Sequence, residues 1–388
     1  MKVRQSIIAI MLGMSVLVSG CTSTTPETNT KKETEENTET VDESTQSQMD
    51  VIQPTAYGNV KGLNLEPGTS ISIIGRGKNT AYWDAVKEGA QEAAKEINEL
   101  LGYEGDDKVK VVYSAPEEEG DVDEQVNILD EELARYPAAI GIAAVDMYAC
   151  EVQFDLAIEN NIPIVAFDAG TDYQNIVSLV KTDDQDAAKM AANKLSDLIG
   201  DDGKVVIVAH DTNSMTATDR VDSFTNQIEK KHDGIEIVDV YHLDDLKTRA
   251  KELIEANSNG DDDEDGPSVS DFNHVDILKS ILEEHPDVKA FYATSESASV
   301  VIQDTLEELG IEGMTVVSFD GGESQIERLK EGKISGLIVQ NPYGIGYATV
   351  VAAARAILGQ GNEAVVDTGY TWVTESNLEK PSIQNMMY

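Results

Sequence analysis

Only two of the 388 residues are cysteine, Cys21 and Cys150. Cys21 ends an apolar amino-terminal stretch, so the folded part is left with one thiol and no internal disulfide framework. Cys150 has no base or cation near it in sequence and is expected as a buried packing residue. Histidine is equally scarce: His210, His232, His242, His274 and His285 are scattered without metal-ligand spacing. Nucleophile elbows and Cys–His arrangements are missing too, which leaves the case for an enzyme thin. Basic residues number 29 against 72 acidic ones, a formal net charge of -43. With no basic run to neutralise phosphates, nucleic acid is not expected as a partner. Acidity of this kind keeps a chain soluble and monomeric and says little about fold.

What is present begins with a targeting pattern. Lys2 and Arg4 precede an apolar stretch from Ile7 to Val18, followed by small residues. Residues 1–20 read as a secretory signal, too short and wrongly flanked for a spanning helix. The ending Val18-Ser19-Gly20-Cys21 resembles a bacterial lipobox, which implies a lipidated Cys21. The alternative is an ordinary secretory signal with an incidental cysteine. Residues 21–65, rich in Thr, Glu, Ser and Asn at first and then broken by Pro54, Gly58 and Gly62, read as a disordered tether. Together these features place the folded part outside the cytoplasm, lipid-anchored at the outer face of a bacterial cell membrane.

From Thr69 onward, short apolar strands alternate with amphipathic helices, the pattern of βαβ units on parallel sheets. The stretch Met314–Gly322 reads Met-Thr-Val-Val-Ser-Phe-Asp-Gly-Gly, and Ile162–Gly170 repeats its design as Ile-Pro-Ile-Val-Ala-Phe-Asp-Ala-Gly. Each delivers an aspartate at the carboxyl end of a β-branched and aromatic run, where parallel sheets hold ligands. The expected fold class is therefore α/β, with two related lobes and Asp168 facing Asp320 across a cleft. Residues 66–181 plus 341–370 are assigned to one lobe, and 182–340 plus 371–388 to the other. Residues 257–273 interrupt the rhythm as an acidic insertion. There Asp261, Asp263 and Asp265 fit the first half of a calcium loop, but Phe272 stands where a bidentate Glu is needed, so a solvated surface insertion is the favoured reading.

Several residues carry candidate chemistry. Gly75-Arg76-Gly77-Lys78-Asn79-Thr80 sits where a phosphate loop belongs, yet Thr80 replaces the third glycine and Asn79 the Ser or Thr of a Walker loop. At the helix start, Thr80 leads into Tyr82 and Trp83 in a chain with only 5% aromatic residues. A ring exposed at a cleft mouth offers an apolar face to the C–H face of a sugar; the alternative is that the pair caps the lobe's own core. Arg220 offers a rigid fork that, with Asp168 and Asp320, suits vicinal hydroxyls, or else forms a surface salt bridge. Gln340 adds an amide at a strand end. Replacing Asp320 or Arg220 by Ala is expected to abolish binding and leave the unliganded fold intact. No cofactor is expected.

With these residues in view, the chain resembles the sugar-binding lipoproteins of bacterial ABC importers, above all the ribose- and galactose-binding proteins, periplasmic binding proteins of type 1. The likeness rests on Tyr82–Ala90, Pro163–Asp168, Arg220–Phe224, His285-Pro286-Asp287, Val316–Gly322 and Val339-Gln340. It implies two Rossmann-like lobes joined by a three-crossing hinge that shuts on ligand; hinge closure of this kind is general to periplasmic binding proteins. It also implies an aromatic pair stacking on a sugar, here Tyr82 and Trp83, with Asp168, Arg220, Asp320 and Gln340 bonding its hydroxyls. Two positions depart from the ribose pattern: Ala169 stands for an arginine, and Ser295 for an asparagine. The implied partners are a monosaccharide and an ABC permease, with the membrane touched only by the lipid anchor. A sensor feeding a membrane kinase or chemoreceptor is the alternative on the same fold. A sugar-processing enzyme using Asp168 and Asp320 is a third.

Overall fold

Parallel strands buried on both faces read as continuous apolar runs, and such runs build both halves of this chain. The structure, a computed structural model, describes residues 43–257 and 267–388. The described residues open with helix α1 (Glu43–Asp50). Lobe 1 then alternates β1 (Ser70–Ile74), α2 (Ala81–Leu101), β2 (Lys110–Ser114), α3 (Val122–Leu133), β3 (Ala139–Ile142), α4 (Glu151–Glu159), β4 (Ile164–Phe167) and β5 (Ser178–Lys181). Lobe 2 carries α5 (Asp184–Ile199), β6 (Gly203–Ala209), α6 (Met215–Lys231), β7 (Ile235–His242), α7 (Leu246–Asn257), α8 (His274–Glu284) and β8 (Val288–Ala293). It continues through α9 (Glu296–Leu309), β9 (Thr315–Phe319), α10 (Glu323–Lys330) and β10 (Gly336–Gln340). Helix α11 (Pro342–Ile357) and β11 (Val365–Asp367) return to lobe 1, and β12 (Tyr370–Val373) and α12 (Pro381–Gln384) end in lobe 2.

The two sheets are six-stranded, ordered β11-β5-β4-β3-β1-β2 and β12-β10-β9-β8-β6-β7. All pairs are parallel except β12, which runs antiparallel to β10. The fold is thus α/β with two lobes of parallel sheet flanked by helices. The chain passes between the sheets three times, at 182–183, 341 and 368–369. Asn341 holds the second passage, accepting from Gly344 N as the cap of α11 and donating to Thr368 O in the third.

Local sequence explains the helices that frame the cleft. Thr80 caps α2, its hydroxyl accepting from Trp83 N, and Gly102 ends it at φ 70°. Val86, Ala90, Ala93 and Ile97 form its buried stripe against α11. Helix α11 is small-residue-rich and buried from Pro342 to Ala354, so it runs as a core helix between α2 and the sheet. In lobe 2, Ala187, Ala188, Ala191, Ala192 and Leu195 give α5 a flat apolar face for α6 and the sheet.

Several expectations need correction. The tether was expected to reach residue 65, yet α1 is helical and Ile52, Tyr57, Val60, Leu63 and Leu65 are buried in the lobe 1 core. These apolar residues are too widely spaced to register as an element, but each fills the core separately. The residues following β12 bury Leu378, Ile383 and Met386 in the lobe 2 core. Of the acidic insertion, residues 267–273 are described, with Val269 and Phe272 packed against lobe 2. The signal 1–20, Cys21 and the candidate calcium ligands Asp261, Asp263 and Asp265 lie outside the described residues. Among the described residues no group of His, Cys, Asp and Glu could hold a metal ion, and no helix is long and apolar enough to cross a membrane. Cys150 is 2% exposed and packs in a lobe 1 cluster, where burial pushes its thiol up to about 12.

Candidate functional site

The carboxyl ends of β1, β4, β6, β8, β9 and β10 open on a cleft of about 650 Å³. All eight residues singled out from sequence line it: Thr80, Tyr82, Trp83, Asp168, Arg220, Ser295, Asp320 and Gln340. Both lobes contribute, which puts Asp168 and Asp320 on the one shared opening.

Each aspartate leaves its strand through a left-handed backbone, φ 54° at Asp168 and 78° at Asp320. Asp168 is buried, and its carboxylate accepts from the Tyr82 hydroxyl. Burial raises its pKa above the ordinary value, while the Tyr82 bond and the guanidinium groups of Arg220 and Arg76 pull it back down. Asp320 accepts from Gln340 Nε2 at 2.7 Å and from Glu296 N, at the start of α9, at 2.9 Å. Gln340 in turn accepts from Thr182 Oγ1 at 2.9 Å, so Asp320 is linked to the first crossing between lobes. Thr80 and Ser295 serve equivalent local ends: Ser295 caps α9 by accepting from Ala298 N, as Thr80 caps α2.

Arg220 is neither exposed nor free. It is 3% exposed, its Nε donates to Asp184 Oδ1 at 2.7 Å and Nη1 to Thr294 O at 2.8 Å, and its guanidinium lies 4.1 Å above the centre of Phe319. Burial alone would lower its pKa, but Asp184, Asp320 and Asp168 outweigh it and the net shift is upward. The surface salt bridge considered from sequence is therefore a buried pair. Removing Arg220 would leave the buried Asp184 carboxylate with Lys181 Nζ, 3.5 Å away, as its remaining cation, so Arg220→Ala is now expected to cost stability as well as binding.

Neighbouring helical residues diverge, and Tyr82 and Trp83 show it. Tyr82 is half-buried and faces the cleft, whereas Trp83 is 3% exposed and sits in the lobe 1 core. The Trp83 indole N–H donates to Glu119 Oε1 at 3.1 Å, and its ring meets Phe167 edge-on at 6.5 Å. Core capping accounts for most of the Trp83 surface; Tyr82 offers the freer ring.

Sequence reading missed several lining residues, among them Arg76, Glu119, His210, Asp211, Glu296 and Tyr388. Arg76 and Asp211 form an ion pair of 2.6 Å that joins lobe 1 to lobe 2 across the cleft. Burial works against the Asp211 carboxylate, but His210 and Arg76 outweigh it and hold its pKa below the usual range. His210 is pushed down by burial and is neutral near pH 7. Arg76 lay in a stretch weighed only as a phosphate loop; a signal was available in its position, two residues past a strand, which Asp211 shares.

Comparisons with known proteins agree with this fold. The periplasmic binding protein domain matches residues 71–361. The ribose import binding protein of Bacillus subtilis strain 168 is 20% identical over 308 residues, covering 79% of this chain and 86% of that relative. That of Escherichia coli K12 is 21% identical over 314 residues, covering 81% and 93%. Among solved structures, a carbohydrate transporter solute binding protein from Agrobacterium radiobacter in complex with D-arabinose superposes with a TM-score of 0.69 at 26% identity, covering 82% of this chain and 99% of that one. An ABC transporter solute binding protein from Agrobacterium vitis with bound D-fucose shares the fold with a TM-score of 0.68 at 22% identity, covering 82% and 100%.

Proposed function

This chain belongs to the periplasmic binding protein domain family, and on that premise we propose that it captures a monosaccharide between its lobes and delivers it to an ABC permease. The observation that carries this reading is the convergence of Asp168, Arg220, Asp320 and Gln340 on one cleft that also exposes the Tyr82 ring. Carboxylates accept from vicinal hydroxyls, the guanidinium and amide donate to them, and an aromatic face takes the C–H side of the sugar ring. The relatives named above are sugar-binding transport proteins, which fits a receptor rather than a catalyst.

Three chain passages between lobes supply a hinge, and a ligand contacted from both sides favours the shut form. The permease would recognise that form. Lipidation of Cys21 would hold the receptor at the outer face of the membrane, a reading that rests on the amino-terminal sequence alone.

A thermal-shift screen of pentoses, hexoses, polyols, nucleosides and furanosides tests the proposal. Binding raises the melting temperature with ligand concentration. Sugars that leave the transition unmoved at millimolar concentration, while another class of solute shifts it, would replace the sugar reading.

A further inference from the structure

The fifteen or so residues after β12 do more than finish the fold, because they bring a further aromatic ring into the cleft. Leu378, Ile383 and Met386 are buried in the lobe 2 core, and Gln384 Nε2 donates to Leu378 O at 2.7 Å, so the segment is fixed along its length. It ends at Tyr388, which lines the cleft with Asp168, Arg220 and Asp320. The Tyr388 hydroxyl accepts from Gly321 N at 3.2 Å, the peptide group directly after Asp320. Its ring meets Tyr82 of lobe 1 edge to face, with centroids 5.4 Å apart and planes at 78°. Of the phenol and indole rings that line the cleft, Tyr388 alone comes from lobe 2.

From this placement we propose that Tyr388 is a ligand-contacting, specificity-determining residue, a lobe 2 ring that stands edge-on beside Tyr82 and with it lines the side of the cleft the sugar meets. This rests on the sugar-binding reading above. An aromatic wall that is half-buried and already pinned through its hydroxyl binds at little ordering cost. With one lone pair engaged by Gly321, the hydroxyl proton remains to be donated to a sugar oxygen. Because the ring touches Tyr82 only across the gap between lobes, it also contributes a contact made on closure.

The test is calorimetric titration of the full chain with D-ribose, D-arabinose, D-fucose and D-tagatose, comparing wild type with Tyr388→Ala and Tyr388→Phe. Tyr388→Ala is expected to weaken binding about tenfold or more, as truncation of a buried interface tyrosine does. Tyr388→Phe keeps the ring and is expected to lose about threefold to tenfold, the worth of one hydrogen bond. The melting temperature of each unliganded variant guards against simple misfolding, and Tyr388→Phe decides if Tyr388→Ala fails that control. Unchanged affinity in Tyr388→Ala overturns the proposal, and tighter binding overturns it by showing that the ring occupies the sugar's place. A wild type that ignores all four sugars but binds another polyol overturns this contact as proposed and leaves the receptor reading standing. One that ignores every sugar removes both the receptor reading and this wall.

Discussion

Asp168 and Asp320 occupy the same place in the two lobes and share an uncommon backbone. Each follows the strand third in its sheet, β4 or β9, and each amide donates to the next strand, Asp168 N to Val180 O at 2.8 Å and Asp320 N to Ile338 O at 2.9 Å. Both have positive φ, which aspartate tolerates better than most L-residues. A left-handed residue off glycine costs on the order of 1–3 kcal/mol, held in place here by the sheet on either side. Two lobes storing the same strain at the same position turn two carboxylates toward one opening.

Substitution by asparagine keeps the backbone preference and removes the charge. Asp168→Asn and Asp320→Asn should each weaken sugar binding by about 1.5–3 kcal/mol, the value of a charge-assisted hydrogen bond, or roughly tenfold to 150-fold. Calorimetry on each variant checks this, and equal affinities for wild type and both variants would sink the roles given to the two acids.

Asp168 also makes unliganded stability depend on pH. Its pKa is raised above the ordinary 3.8 because burial penalises the charge. A raised value means that protonation favours the fold: the contribution is present below the ordinary value and lost as pH rises through the raised one. Asp168→Asn should therefore melt above wild type at neutral pH, with the gap closing as pH falls through that raised value toward 4. Calorimetric melts between pH 4 and pH 8 would read the gap, and one that is constant with pH would rule out Asp168 as its source.

Arg76 and Asp211 repeat the symmetry with opposite charges, each two residues beyond its strand, β1 or β6. Their 2.6 Å pair spans the cleft, and the Arg76 Nε is buried without a partner. Breaking the pair leaves a charge stranded at the interface, so Asp211→Asn should loosen the shut form. Small-angle scattering of the unliganded chain should show a larger radius of gyration, and sugar affinity should fall with it. A compact variant with wild-type affinity would show that the pair does not hold the lobes together.

Arg220 and Asp184 illustrate what sequence could and could not show. Both are almost fully buried, so Arg220→Ala should cost about 3–5 kcal/mol of stability besides binding. Asp184→Leu combined with Arg220→Met should recover most of that stability without recovering binding. Urea titrations measure both, and a fully stable Arg220→Ala would refute the role of the pair.

Strands β4 and β9 were legible, since apolar runs ended by Asp announce themselves. The cleft acids followed from them. Strand β11 was not legible, because three residues after two glycines carry no period. Tyr388 could not be foreseen either: its partner Gly321 lies 67 residues earlier, and only the folded tail brings them together. The segment 46–65 was hidden by composition, its few apolar residues diluted among polar ones although Ile52, Tyr57 and Leu63 are buried.

The seam between α2 and α11 sets how closely lobe 1 can be packed behind the cleft. A Cβ on Gly346 would stand 1.8 Å from Val86 O, and one on Gly89 would stand 1.9 Å from Tyr343 O. Both obstacles are backbone, so a methyl group fits only if the helices separate. That would shift α2, whose first turn presents Tyr82 to the cleft. Gly346→Ala should therefore lose about 3 kcal/mol, at or beyond the usual range for overpacking. Gly120→Ala, with open space around its Cβ but φ 89°, should lose only about 1 kcal/mol from backbone strain. Urea melts of the two variants separate clash from strain. Equal losses would mean that α2 and α11 can part without cost, and that the position of Tyr82 does not depend on their contact.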